Sequence, residues 1–476
     1  MTAFADGRLW LAGTATVSSA SPLRAPFDDA VIAEVHQATS AHLDTALATA
    51  TAMAPTMAAL PRHRRRQILA AIARGIADRI DDFTDTIVAE AGKPRRFARG
   101  EVERAIATFD AASAVLLAPA EILLPLDASP LGEGRMALVR RHPRGVVVAI
   151  TPFNFPLNLV AHKLAPAFAA GCPVVLKPAE QTPLSSLLLA RVCAEAGLPD
   201  GALSVVPCDR STAAQLVSDE RARVVSFTGS AAVGFSIRAA VGKRHSLLEL
   251  GGNASVILHD DADLDMAIPR IVTGAFAYAG QVCISVQHIL VHRRRLDEVR
   301  ERLLAATAAI ACGDPTRSDV VVGPVIDDRA VARIGRIVDD AISAGGRLLP
   351  LPRHTSGRVM QPMVIEGAPP SCGLMSEEVF GPVCTLDAYD DVGDAFARIN
   401  ASRYGLQAGI FSSDLQVVLK AGEVLDVGAV IHDDVPTFRV DHMPYGGTKD
   451  SGIGREGLPW ALEDYTEPRT LVLRRR

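Results

Sequence analysis

No two of the seven cysteines (Cys172, Cys193, Cys208, Cys283, Cys312, Cys372, Cys384) form a C-x-x-C pair, and no His-rich spacing accompanies them. Neither a zinc site nor a disulfide framework is suggested, and an odd count in a long chain fits a reducing compartment. Excess positive charge is also missing: the net charge is −5, which argues against a nucleic-acid partner. The basic runs at 62–66 and 474–476 then read as solvated faces or tails. The start, Met1-Thr2-Ala3-Phe4-Ala5-Asp6, lacks a basic segment followed by an apolar one. No run of about 20 uncharged apolar residues occurs, so a soluble, cytoplasmic protein with no membrane partner is expected. Internal repeats and low-complexity linkers are absent too, so the domains should share an interface.

What is present is a globular composition, 49% hydrophobic and 22% charged, over 476 residues. That length exceeds the roughly 100–200 residues of one domain, and two or three domains are expected. Residues 8–37 are strand-like, with turns at Pro22, Pro26 and Asp28-Asp29, and suggest an N-terminal arm or edge hairpin. From Ala41 to Ala118 the pattern is helical: Ile68, Ile72, Ile76 and Ile80 recur at helix spacing, and Gly92-Lys93-Pro94 interrupts. The segment 123–141 alternates poorly, holds Pro125 and Pro130, and ends in the polar strand Met136–Arg141.

From Gly145 short continuous apolar runs take over: Val146–Ile150, Pro173–Leu176, Leu203–Val206 and Val224–Phe227, with helices at 159–169, 184–196 and 213–218 between them. Such runs mark a parallel sheet buried on both faces, hence a doubly wound α/β unit. A nucleotide would sit at its C-terminal strand ends, where helix N-termini present N–H groups. A second α/β unit includes Ala254–Leu258, Ile289–Val291, helices at 296–311 and 330–344, and strand-like 386–389.

Three residue types suggest carbonyl chemistry. Cys283 lies in the small-residue turn Gly280-Gln281-Val282-Cys283-Ile284-Ser285, after a helical pattern at 266–279 and before strand-like 286–291. A thiolate there could attack a carbonyl carbon, although a buried core thiol is the plain alternative. Glu249 ends an apolar strand at Gly251-Gly252, where partial desolvation would raise its pKa toward that of a general base. Asn154, in Thr151-Pro152-Phe153-Asn154-Phe155-Pro156, offers amide donors to an oxyanion.

No G-x-G-x-x-G follows Val224–Phe227; Thr228-Gly229-Ser230 leads to Gly234 instead. Ser230 could cap a helix that faces a pyrophosphate, or could cap and nothing more. Lys177 and Glu180 emerge at a strand's C-terminal end, where a carboxylate can take two ribose hydroxyls and repel a 2′-phosphate. The alternative is a solvated Lys–Glu pair worth ~0–1 kcal/mol.

The stretches 151–156, 177–183, 227–234, 249–253, 280–283, 377–383 and 444–457 stand in the order of the aldehyde dehydrogenase superfamily, which the chain resembles over nearly its whole length. The resemblance implies an α/β fold of three parts: a doubly wound NAD-binding domain (1–122 and 145–249), an α/β catalytic domain (250–446) and a small β oligomerisation excursion (123–144 and 460–476). It further implies that the excursion pairs with Thr470-Leu471-Val472-Leu473 of a neighbouring subunit in a homodimer or homotetramer, an ordinary surface hairpin being the alternative.

By the same resemblance Cys283 forms a thiohemiacetal with a small aldehyde, Asn154 and the Cys283 N–H hold its oxyanion, and Glu249 activates the water that hydrolyses the thioester. Members that pass the acyl group to coenzyme A usually lack this glutamate. The cofactor implied is NAD rather than NADP, held by Thr151, Pro152, Phe153, Lys177, Glu180, Gly229, Ser230, Gly234 and Leu250, with Glu378 on the nicotinamide ribose and Phe380 beside the ring. No metal is expected. Phe155, Leu159, His162, Val282, Ile284, Arg104, Arg439 and Tyr445 are the expected substrate-pocket residues.

The segment 433–447 looks most like the branch of lactaldehyde, phosphonoacetaldehyde and non-phosphorylating glyceraldehyde-3-phosphate dehydrogenases. Val282 stands where phosphoryl-binding relatives place an arginine, so a small uncharged or hydroxylated aldehyde of the lactaldehyde type is favoured. Two alternatives remain: a semialdehyde dehydrogenase using Arg439 or Arg104 for a carboxylate tail, and a non-catalytic protein on the same fold.

Overall fold

The apolar runs pair as expected in the structure, a computed structural model that describes residues 6–118 and 120–474. The readings made for Met1–Ala5 and for Arg475 and Arg476 lie outside the described residues. Five parallel strands stand in the order Leu203–Val205, Val174–Lys177, Val147–Ile150, Val224–Thr228 and His245–Glu249. Nearly every residue in them is buried, which is why they are continuous apolar runs and not alternating ones. Strand order reverses at Val147–Ile150, flanked by Val174–Lys177 on one side and Val224–Thr228 on the other. The crevice of a doubly wound sheet opens at such a reversal. The hairpin Leu9–Leu11/Thr14–Thr16 closes one edge. At the other, Gly452–Ile453 pairs antiparallel with Leu248 and Glu249, bringing a late segment beside the first sheet.

The second sheet runs Arg347–Leu348, Met363–Glu366, Val383–Tyr389, His288–His292, Ser255–Leu258, Gln407–Phe411 and Ala429–His432, all parallel but the first. Helices Ser40–Ala59, Arg62–Ala77, Ile80–Ala91 and Arg95–Val115 fill the region read as helical. The isoleucine run does not form one helix: Ile68, Ile72 and Ile76 are buried in one, and Ile80 opens the next. Gly92, left-handed at φ 62°, ends the third as the Gly-Lys-Pro break predicts. The pattern at 266–279 also overruns, since the helix is Leu264–Phe276 and Tyr278 and Ala279 are left-handed. The helix read at 296–311 stops at Ala308, and Ala311–Cys312 pairs as a short strand.

One expectation is corrected outright. The excursion Arg135–Pro143 pairs with Thr466–Arg474 of its own chain, Val139 opposite Thr470, and with Ile122–Leu124 on its other side. The helix Trp460–Tyr465 delivers the C-terminal strand next to Pro143, so no second subunit is needed for this pairing. Among the described residues no helix is long and apolar enough to cross a membrane.

A buried ion pair anchors the segment carrying Asn154. The Glu101 carboxylate accepts from the Leu157 and Asn158 N–H groups (2.9 and 3.1 Å) at the start of helix Asn158–Ala170, and binds the Lys93 ammonium. That ammonium lies 3.6 Å from the centre of the Phe155 ring. Glu101→Ala strands Lys93 as an uncompensated buried charge and should cost about 3–5 kcal/mol. Urea unfolding should show a lower midpoint with an unchanged slope.

Candidate active site

Cys283 sits in the loop between helix Leu264–Phe276 and strand His288–His292. Tyr278, Ala279 and Gly280 before it are all left-handed (φ 53°, 55° and 67°). That is costly for two residues bearing a Cβ, and burial secures it: Tyr278 donates to the Ala91 carbonyl at 3.1 Å and Ala279 is fully enclosed. Position 280 admits only glycine, since a Cβ would come within 2.2 Å of the Gly381 carbonyl oxygen. Gln281 then locks the turn, donating to Pro324 O (3.2 Å) and accepting from Ile326 N–H (2.9 Å).

The Cys283 sulfur lies 2.9 Å from the Tyr445 hydroxyl oxygen. The residue is partly exposed where it lines the cavity described below, and the burial around it pushes the thiol's pKa up, against a smaller opposing pull from Tyr445. Asn154 is buried and donates one amide hydrogen to the Gln281 carbonyl (3.0 Å), leaving the other for a ligand. The Cys283 main-chain N–H makes no hydrogen bond among the described residues. Asn154, Cys283 and Leu159 line one cavity of about 420 Å³ together with Leu250, Glu378 and Phe380.

Glu249 ends its strand opposite Thr228 and Gly452, 3% exposed, with Oε1 unpartnered against Gly446. Burial first, then the charge of Glu456, lifts its pKa well above the usual carboxylate value. Glu456 pairs with Lys163 (3.4 Å) and Arg439 (3.1 Å), all three buried. Burial opposes the charge of Glu456, but Lys163, His162 and Arg439 outweigh it and hold its pKa low. The sequence reading missed both members of the Lys163–Glu456 pair. Lys163 was the available signal: it is the only acid or base besides His162 in the wholly buried helix Asn158–Ala170, and a lysine so placed needs a buried acid.

At the reversal of the first sheet a second cavity, about 450 Å³, is lined by Thr151, Pro152, Phe153, Lys177, Glu180, Gly229 and Ser230. It shares Pro152, Phe153, Thr228, Gly229 and Ser230 with the cavity at Cys283, so one groove runs from Glu180 to the sulfur. Ser230 occupies the N-cap of helix Ala231–Val241 without a side-chain capping bond, contrary to the capping reading. Gly234 packs on Leu250. Lys177 and Glu180 are 3.8 Å apart, and Glu180 is half exposed at the groove's end. Arg210, not singled out from sequence, lines the same end.

Glu378 accepts from the Gly252 N–H (3.2 Å), and burial raises its pKa to about 7. Glycine at 251 permits this approach, since a Cβ there would lie 2.4 Å from Glu378 Oε2. Phe380 meets Phe153 edge to face at 5.8 Å.

The expected substrate residues divide. Leu159 lines the cavity, and Val282 and Ile284 pack with Tyr445 beside the thiol. Phe155 is turned onto Lys93. Arg104, His162 and Arg439 do not line that cavity and are each held by an acid. Asp441, which the sequence reading included in the late segment 437–445 expected to line the pocket but gave no role of its own, takes the Arg104 guanidinium in two bonds (2.8 and 3.3 Å), lies 2.8 Å from His162 Nε2 and accepts from Asn158 (3.3 Å). Burial works against this carboxylate, yet His162 and Arg104 hold its pKa well below the usual value. Arg439 is held by Glu456 and lies 3.7 Å over the Tyr445 ring.

Comparison with known proteins finds one family over nearly the whole length. The model of the "Aldehyde dehydrogenase family" matches residues 12–471. A 3-sulfolactaldehyde dehydrogenase of Priestia aryabhattai is 40% identical over 412 residues, 86% of each chain. The crystal structure of aldehyde dehydrogenase 21 from Physcomitrella patens, in complex with the reaction product succinate, superposes with a TM-score of 0.96 at 40% identity over 98% of both chains. The glyceraldehyde-3-phosphate dehydrogenase GapN from Methanocaldococcus jannaschii, complexed with NADP, gives 0.92 at 33% identity over 96% of this chain and all of that one.

Proposed function

Because this chain belongs to the aldehyde dehydrogenase family, we propose that it oxidises a short aldehyde to the carboxylate through covalent attachment to Cys283, without transfer to coenzyme A. The observation that carries this reading is the single cavity shared by the Cys283 thiol and the Asn154 amide, open to the groove at the sheet reversal and backed by buried Glu249. Segments 1–122 and 145–249 are assigned to the dinucleotide-binding domain and 250–446 to the catalytic domain, and the site lies where they meet: Asn154 and Glu249 come from the first, Cys283, Glu378 and Phe380 from the second.

In the first step the Cys283 thiolate bonds to the aldehyde carbon, and the Asn154 amide with the Cys283 N–H stabilises the oxyanion formed. A nicotinamide dinucleotide fits the residues present: the groove is long, Ser230 caps nothing, and the Glu378 carboxylate is held at the Gly251-Gly252 turn. Bound along Thr151–Phe153, Gly229–Ser230, Glu378 and Phe380, it supplies the hydride acceptor. Glu249 then takes a proton from water, whose oxygen attacks the Cys283 thioester; the carbon–sulfur bond breaks, and the carboxylate and the thiol leave each other.

NAD is preferred to NADP on the strength of Glu180, whose charge opposes a 2′-phosphate, although Arg210 at the same end works the other way. Glu180→Gln should therefore raise kcat/KM for NADP by about tenfold or more relative to NAD, one unit charge being removed. Initial rates with both cofactors measure it.

A hydroxylated, uncharged aldehyde of the lactaldehyde type is the preferred substrate, since Val282 flanks the thiol and acids already neutralise Arg104 and Arg439. A second reading, an aldehyde with an anionic tail, is favoured by one observation: the Arg104 side chain is 30% exposed, so a carboxylate or sulfonate could compete with Asp441 for it. The 3-sulfolactaldehyde in one compared protein's name is such an aldehyde, and the reaction product succinate in another's structure carries a second carboxylate where such a tail would be. Kinetics with lactaldehyde, 3-sulfolactaldehyde and succinate semialdehyde decide, repeated with Arg104→Ala. A KM rise confined to the anionic substrates supports the second reading; higher kcat/KM for lactaldehyde with no such rise supports the first.

A homo-oligomer is proposed as well, because Ile122, Leu123, Leu471 and Val472 expose apolar surface on the three-stranded sheet. A cytoplasmic, reducing compartment would keep the Cys283 thiol reduced.

A further inference from the structure

Tyr445 and Cys283 are 162 residues apart in sequence, yet the phenol oxygen and the thiol sulfur lie 2.9 Å from each other. The contact is held from three directions. The Tyr445 backbone exchanges both hydrogen bonds with Glu456 (3.0 and 2.7 Å), fixing the main chain. The Arg439 guanidinium, tied to Glu456, covers one face of the ring. Val282, Ile284 and Leu406 pack around the side chain, which is only 3% exposed. The hydroxyl thus has nowhere to swing and is aimed at the sulfur.

We propose that the Tyr445 hydroxyl is a catalytic residue of this enzyme: it donates its hydrogen bond to the Cys283 sulfur and so favours the thiolate that attacks the aldehyde. The proposal rests on the reading of Cys283 as nucleophile. The S–H proton is released to water, leaving the sulfur with its electron pair for the new carbon–sulfur bond; no bond to Tyr445 forms or breaks. Tyr445 is suited to this part because burial, then the negative charge developing on Cys283, keeps the phenol protonated far above neutral pH. A donor is what a buried thiolate needs, since burial by itself opposes the charge. A hydrogen bond to a charged group is among the stronger ones, and losing it should shift the thiol titration by about one pH unit or more.

The test uses the full chain with Tyr445→Phe, and Tyr445→Leu as a second variant should the first not fold. Alkylation of Cys283 by iodoacetamide is followed across pH by mass spectrometry of its peptide, and the pre-steady-state NADH burst is recorded alongside. The midpoint is expected to move up by about one unit, with alkylation about tenfold slower at neutral pH, an unchanged limiting rate at high pH, and a burst that slows in parallel. An unmoved or lowered midpoint, including one accompanied by slower reaction at every pH, overturns the proposal. Cys283→Ala keeps the two claims apart. If that variant still forms NADH, the nucleophile reading fails; if it does not, the midpoint alone decides the part played by Tyr445.

Discussion

With Cys283 replaced by alanine, NADH formation from any aldehyde should fall by about 10⁴-fold or more, the scale seen when a covalent nucleophile is removed from an enzyme. The other parts of the site should survive the change. Asn154 stays bonded to the Gln281 carbonyl, the left-handed turn at 278–280 is held by Tyr278 and Gly280, and the groove to Glu180 does not touch the sulfur along most of its length. Cofactor binding should therefore persist, read as quenching of protein fluorescence or as NADH fluorescence enhancement, while turnover disappears. Substantial turnover in this variant would sink the covalent mechanism, and the non-catalytic alternative would be sunk by a wild-type burst.

Glu249→Gln should separate the two halves of the reaction. One NADH per active site is expected at close to the wild-type rate, after which turnover stalls, the steady-state rate falling by about 10²–10⁴-fold. Hydride loss from the thiohemiacetal needs the oxyanion donors and Cys283, whereas hydrolysis of the thioester needs a base for water, and glutamine cannot accept the proton. Mass spectrometry of the quenched variant should find the acyl group on the peptide containing Cys283. The pH dependence follows from the raised pKa: Glu249 is protonated at low pH and gains its basic form as pH rises, so wild-type deacylation should speed up toward alkaline pH. In the glutamine variant that limb should vanish. Loss of the burst along with the steady state would show that Glu249 is needed already in the first half-reaction and would overturn this separation of the two halves.

Much of the fold was legible because burial leaves a local mark. A strand covered on both faces must be apolar throughout, so the runs at 146–150, 173–176, 203–206 and 224–227 were found within a residue or two. Helix ends were less legible. The pattern at 266–279 stayed apolar past Phe276 because Tyr278 and Ala279 are buried too, although in left-handed turns and not in the helix. Periodicity reports burial, not backbone sign. Pairing partners were the least legible: any extended strand could satisfy the edge of Arg135–Pro143, and the short helix Trp460–Tyr465 decides that the chain's own C-terminal strand does.

By itself, the order of residues determined the class of fold and the doubly wound sheet, because burial on both faces marks a strand locally; it singled out Cys283, Glu249 and Asn154 as candidates, each weak alone, through their place in the ordered resemblance, while the reversal of the sheet came from the structure. Tertiary structure alone decided which charges are paired, Asp441 with Arg104 and His162 and Glu456 with Lys163 and Arg439, and that the neutral Tyr445 hydroxyl meets the sulfur. The energy of an ionic or polar group depends on what surrounds it once water is removed. For these groups the surroundings are assembled from segments up to 337 residues apart, as between Arg104 and Asp441, beyond the reach of any local pattern.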